Sequence, residues 1–317
     1  MPRPVPPKPK TNPDGPAGGK RSPDTHAQQY PAHARRPSRP PGPLAEILPV
    51  EILAQPDDET CGPTCLHAVY RYWGDDASLA EIIQSATSLN TAGVGRGTIA
   101  SMLGAHALAR GYRATLYTFN LHMFDPTWFT RGGRSDPTEL AAKLQAQALA
   151  RPITGERRET DQRFLTTTAA YLEFLRLGGQ VRLRDLTSRL ISGFIRAGRP
   201  VLTGVSATYL YRCAREFGPN DDYDDVRGAP AGHFVVLHGY EKKGRRVTIA
   251  DPLSDNPGFE TQRYTVKMSR LVPAIMLGVL SHDANLLVIE PPGEPGSAAG
   301  EGDGTDGVRR TQEDGQT

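Results

Sequence analysis

Helix-like and strand-like periodicities are segregated along this chain, and that order limits its architecture. Helical patterns fill the first half. One runs on from Cys61 toward Trp73, one follows Ser78, and others cover Thr98–Arg110, about Asp136–Ala150 and Asp161–Leu177. A further amphipathic stretch carries Leu186, Leu190, Ile191, Phe194 and Ile195 on one face. Apart from Arg113–Tyr117, the strand-like runs come late: Val201–Val205, His233–Tyr240, Arg246–Asp251, Thr261–Val266 and Asn285–Ile289. Alternating βαβ units would interleave the two patterns, so the expected class is α+β with helices packed on an antiparallel sheet. One helix start is pinned chemically. Proline sits comfortably only in the first turn of a helix, where its missing N–H has no partner to lose. Pro63 therefore sets Cys61 at or just before a helix N-terminus.

Composition separates the ends from the body. Residues 1–44 are crowded with Pro, Lys and Arg, carry a net +6 and have little apolar content to offset ordering entropy. Residues 291–317 are rich in Gly, Asp and Glu and carry −4. Both read as disordered arms around a body over 45–290 whose charge is near zero, since the whole chain is +2. The basic arm reads as a solubilising linker, and no nucleic-acid partner is expected. No apolar h-region follows the basic N-terminus, and no run reaches the roughly 18–20 apolar residues of a membrane span. Leu271–Leu280 is the longest candidate, and Pro273 interrupts it. Three cysteines without a signal peptide argue against a disulfide framework and for a cytoplasmic, reducing location.

The chemistry gathers at two patches. The first is Gln55 with Cys61-Gly62-Pro63-Thr64-Cys65. At a helix N-terminus, unpaired backbone N–H groups and the dipole favour a thiolate. Gln55 adds a side-chain donor that, with the Cys61 N–H, could form an oxyanion hole. The second patch is a hairpin. His233 opens one strand and Asp251 ends the next across the Lys242-Lys243-Gly244 turn, so the two side chains can be neighbours despite their separation. Asp251 would fix the tautomer of His233 and stabilise its imidazolium. Parity puts His233, Val235 and Leu237 on one face and His238 on the other, away from this site unless a bulge intervenes.

These residues, in the order Gln, Cys-Gly-Pro, Gly-His-Phe-Val-Val-Leu-His-Gly-Tyr and Asp-Pro, resemble the bacteriocin-processing (double-glycine leader) cysteine peptidases and their stand-alone relatives, in the papain-like superfamily. The resemblance covers Gln55–Tyr70 and His233–Pro252, with the strand Pro200–Val205 that typically precedes the histidine loop. It implies a papain-like fold and hydrolysis of peptide bonds, often after small residues. It makes Cys61 the nucleophile, His233 the base, Asp251 its orienting partner and Gln55 the oxyanion donor. Transporter-linked members sit on a membrane protein, whereas no spanning segment occurs here. The stretch between the two patches is also longer than the compact family domain needs, which suggests a helical insertion over about 120–180.

Other residues are assigned more plainly. Cys65 reads as core packing, and His67 as a residue of the helix surface. Cys61, Cys65 and His67 have poor spacing for zinc, so no metal and no cofactor is expected. Gly93, Gly95 and Gly97 read as a turn, or else as a substrate-cleft loop. Asp221, Asp222, Asp224 and Asp225 form an acidic loop, either solvated or a flap that selects basic substrates. The expected partner is a peptide or protein substrate, and the oligomeric state is left open. Two rival activities use the same residues: acyl transfer to an amine, as in papain-like transglutaminases and peptidyl transferases, and peptide capture by a non-catalytic module.

Overall fold

Pro63 has the effect the sequence implies. Helix α1 spans Cys61–Tyr72, so Cys61 is its first residue. The first i→i−4 bond is Thr64 N to Thr60 O (3.0 Å), and Pro63 lies in the turn where no such bond is required. The computed structural model describes residues 45–89, 97–151, 158–278 and 284–292. The arms read as disordered, apart from Pro291 and Pro292, lie outside these residues, as do Gly93 and Gly95.

The class is α+β, as expected. An eight-stranded sheet runs β3 (Gln180–Leu183), β2 (Arg113–Thr118), β10 (Asn285–Glu290), β4 (Val201–Ser206), β7 (Gly232–Glu241), β8 (Arg246–Ala250) and β9 (Arg263–Lys267). Strand β1 (Ala45–Ile47) pairs with β7 outside that path. Among the described pairings only β2–β3 is parallel. Strands β1 and β3, at three and four residues, escape the sequence reading because alternation needs a longer run to show.

The sheet is covered on both faces. Phe234 and Val236 of β7 join a core with Leu66, Val69 and Tyr70 of α1, while Val235 and Leu237 join a second core with α6 (Ser188–Arg196) and α8 (Met268–Met276). Helices α4 (Pro137–Leu149) and α5 (Arg158–Arg176), expected as an insertion, contribute Leu140, Leu144, Phe164, Tyr171 and Phe174 to the same core as α1. The Cys61 helix is therefore braced from two sides. Its far end is held by Tyr72 Oη donating to Gly198 O (2.8 Å) and Trp73 Nε1 donating to Ile289 O (3.0 Å). Laterally, Tyr70 Oη meets His106 Nδ1 (2.9 Å), and Ser85 Oγ meets the other ring nitrogen (2.7 Å). This ties α1 to α3 (Ala100–Ala109) and α2 (Leu79–Leu89).

Local signals hold where the chemistry is local. Ser78 and Glu81 exchange the reciprocal bonds of a capping box at the start of α2 (3.0 and 3.3 Å). Asp136 caps α4 through Thr138 N and Glu139 N. Two expectations move. Leu186 precedes α6, which starts at Ser188 under a Thr187 cap. His67 is buried, 8% exposed, because residues 62–70 of α1 are buried all round and leave no solvent face there. No helix among the described residues is long and apolar enough to cross a membrane.

Candidate active site

The N-terminus of α1 comes from the layer on one face of the sheet. His233 and Asp251 belong by parity to the opposite face, with Val235, Leu237, Val247 and Ile249. They meet at the end of the strands. Register explains the second pair: Val236 lies opposite Ala250, so Asp251 extends β8 beside Val235, one same-face step from His233. His233 Nε2 donates to Asp251 Oδ1 at 2.8 Å. That leaves Nδ1 for the thiol, and the ring has Cys61 as a side-chain hydrogen-bond partner. Burial, the largest influence on His233, opposes its charge. The Asp251 charge and hydrogen bond, with Cys61, outweigh burial and raise the His233 pKa above its ordinary value.

Asp251 is fully buried and accepts bonds on both oxygens. Oδ1 takes His233 Nε2 and Leu253 N (2.9 Å), and Oδ2 takes Tyr211 Oη (2.8 Å) and Tyr264 Oη (2.5 Å). Neither tyrosine is marked by sequence. Tyr211 ends α7 (Ala207–Tyr211), a helix of five residues, and Tyr264 lies in β9, so only the fold brings them together.

Gln55 lies beside the pair. Its backbone N donates to Pro252 O (2.9 Å), its Nε2 to Asp57 O (2.9 Å), and its Oε1 is buried with no hydrogen-bond partner. A side-chain amide nitrogen carries two hydrogens, so one remains for a second acceptor. Gln262, also unmarked in the sequence, staples this segment to the aspartate loop. Its Nε2 donates to Leu53 O (3.2 Å), Asp251 O (3.1 Å) and Pro252 O (3.2 Å).

His238 stays apart. A bulge does fall between Leu237 and Gly239 in the β7–β8 pairing, yet the His238 ring is buried and its Nδ1 donates to Leu48 O (2.9 Å). Cys65 packs as expected, its Sγ donating to Phe234 O (3.3 Å). The three cysteines are free thiols.

A cleft of about 1020 Å³ opens over His233, with Gln55, Tyr211 and Cys213 in its wall. Its charged lining besides His233 is all carboxylate: Asp57, Asp58 and Glu59 before α1, Glu216 and Asp221 in the hairpin β5–β6 (Glu216–Phe217, Asp222–Tyr223), and Asp255 after β8. Burial first, then the charges of Asp221 and Asp58, push the Glu216 carboxyl above its ordinary pKa against the pull of His233. The acidic loop read from sequence thus divides. Asp221 lines the cleft, while Asp224 is occupied by the backbone N–H groups of Val226 and Arg227 and by the Arg227 guanidinium.

Residues 129–271 match the family model described as the Peptidase_C39-like family, a stretch that contains His233 and Asp251 and begins after Gln55 and Cys61. Over that stretch the chain is similar to C39-like peptidases, the family that the His233–Pro252 patch resembles. Among solved structures it is similar to a candidate C39-like peptidase from Bacillus anthracis. The identity is 15%, the TM-score 0.32, and the likeness covers 78% of this chain and 98% of that one. It is also similar to xylellain, a cysteine protease from Xylella fastidiosa, at 12% identity and a TM-score of 0.39, covering 81% and 92%. No curated protein matches the chain.

Proposed function

We propose that this chain is a cysteine peptidase. Residues 45–290 carry the activity, and 1–44 and 291–317 are arms outside it. The observation that supports this best is one junction at the strand ends: a cysteine on a helix N-terminus, partnered by an imidazole that a buried carboxylate orients. Cys61 gives its proton to His233, and its sulfur attacks the peptide carbonyl carbon. The resulting oxyanion is held by the Cys61 N–H and the Gln55 amide. The imidazolium then protonates the leaving amine as the C–N bond breaks, leaving a thioester on Cys61. Water, deprotonated by His233, attacks the thioester, releases the acid and returns the thiol.

The carboxylate lining favours peptides bearing Lys or Arg near the scissile bond. A cationic side chain would relieve the mutual repulsion around Glu216, and a cleft of one sign concentrates opposite charge. The test is hydrolysis of fluorogenic peptides that differ only in Arg, Gln or Glu beside the scissile bond. Cleavage is expected with Arg preferred, and none is expected in Cys61→Ala. Turnover that survives in Cys61→Ala would refute the nucleophile. Added amine separates the rival chemistry, since transfer would yield the amide product and hydrolysis only the acid.

A further inference from the structure

We propose that Tyr211 and Tyr264 are positioning residues that act through Asp251: their phenols hold its carboxylate in place against His233 Nε2, and so keep the imidazole turned toward Cys61. This rests on the peptidase reading above. The two rings come from separate elements, α7 and β9, yet both hydroxyls end on Oδ2 (2.8 and 2.5 Å). They are 6% and 1% exposed, and Asp251 is 0%. A buried carboxylate is costly unless donors surround it. Here the phenols serve one oxygen, while Leu253 N and His233 Nε2 serve the other.

The surroundings fix both rings. Phe259 stacks on Tyr264 at 3.6 Å between centroids and meets Tyr211 edge-on at 6.3 Å. Gly258 lets the Tyr211 backbone approach, since a Cβ there would lie 2.8 Å from the Tyr211 Cα. Burial, and then the Asp251 charge, raise both phenols well above their ordinary pKa, so each keeps its proton and can only donate to the carboxylate. With one phenol removed, Oδ2 of this fully buried carboxylate has a single donor. The carboxylate can then turn away from His233 Nε2, and the imidazole loses the partner that favours its cationic form. Tyr211 also lines the cleft, so it links the substrate wall to the aspartate.

The test uses the full chain and iodoacetamide, with the label read on the Cys61 peptide by mass spectrometry. At about pH 6 a thiol without an imidazolium partner is almost unionised, whereas at about pH 9 any accessible thiol reacts. Tyr211→Phe and Tyr264→Phe should each slow labelling about tenfold at the lower pH, the size carried by a hydrogen bond to a charged group. Labelling at the higher pH should stay near wild type, and neither change should slow it further in an Asp251→Asn background. Wild-type labelling at the lower pH overturns the proposal, as does equal loss at both pH values or an added loss on top of Asp251→Asn. His233→Ala separates the two levels. If it abolishes low-pH labelling while both Tyr→Phe variants behave as wild type, the phenol role fails and the thiol–imidazole pair stands. If His233→Ala labels as wild type, the pair itself is wrong. The variants remove different donors, so misfolding of one, detected by its melting curve, leaves the other to decide.

Discussion

Gln55 is the residue whose proposed role is tested most cheaply. Its backbone is anchored to Pro252 and its Nε2 bonds Asp57 O, so its amide is preset before substrate arrives. Gln55→Ala should lower kcat by about 100-fold with little change in KM, as loss of an oxyanion donor does. Steady-state kinetics on a cleaved peptide checks this, and unchanged kcat would remove Gln55 from the mechanism. Asp251→Asn keeps the shape but supplies a neutral partner to His233. It should cost roughly 100-fold or more in kcat/KM, and an equal rate would leave Asp251 a structural role only. That Cys61 starts a helix and that His233 neighbours Asp251 is legible in the sequence, because the place of a proline in a helix and hairpin register are local rules. Tyr211, Tyr264 and Gln262 were not legible. Their partners lie 40, 13 and 11 residues away from them in sequence, across elements whose packing no local pattern encodes.

At the scale of elements, α4 and α5, which sequence alone sets aside as an insertion, share one core with α1. Phe174 of α5 shows how tightly they are fitted. A Cβ on Gly179 would sit 2.5–2.6 Å from three atoms of its ring. Gly179→Ala should therefore lower stability by about 1–3 kcal/mol, as overpacking does. A denaturant curve reads this, and an unchanged midpoint would contradict the packing. Gly62 plays a similar part in α1 itself, where a Cβ would collide with Thr98 Oγ1 and press on Leu103 and Phe234. Long elements were found close to their ends: β2, β4 and β10 each extend one residue beyond the expected run. The strands of two to four residues, β1, β3, β5 and β6, and the short helix α7 are not legible in the sequence, because periodicity needs more positions than they have. The burial of His67 is hidden for a related reason: a helix buried all round offers no polar face to read.

The whole molecule carries two signatures of this site. The first is charge. A cleft lined by carboxylates should draw cationic peptides, so kcat/KM for an Arg-containing substrate should fall as salt rises. A salt-independent rate would detach the lining from specificity. The second is pH. The folded His233 pKa lies above its ordinary 6.5, so the stability from its pairing with Asp251 is complete below that value and is lost as pH rises through the folded one. The melting temperature of wild type should therefore exceed that of His233→Gln most in mildly acidic solution, and the gap should close toward alkaline pH. A gap that widened with pH would contradict the raised pKa.

Cys61, activated by His233, is the proposed nucleophile. Trapping the full chain with an Arg-containing peptidyl chloromethyl ketone and mapping the modified residue tests it directly. One thioether is expected, on Cys61, and it should not form in His233→Ala. A label on Cys213 instead, or equal labelling of Cys61 without the imidazole, would contradict it.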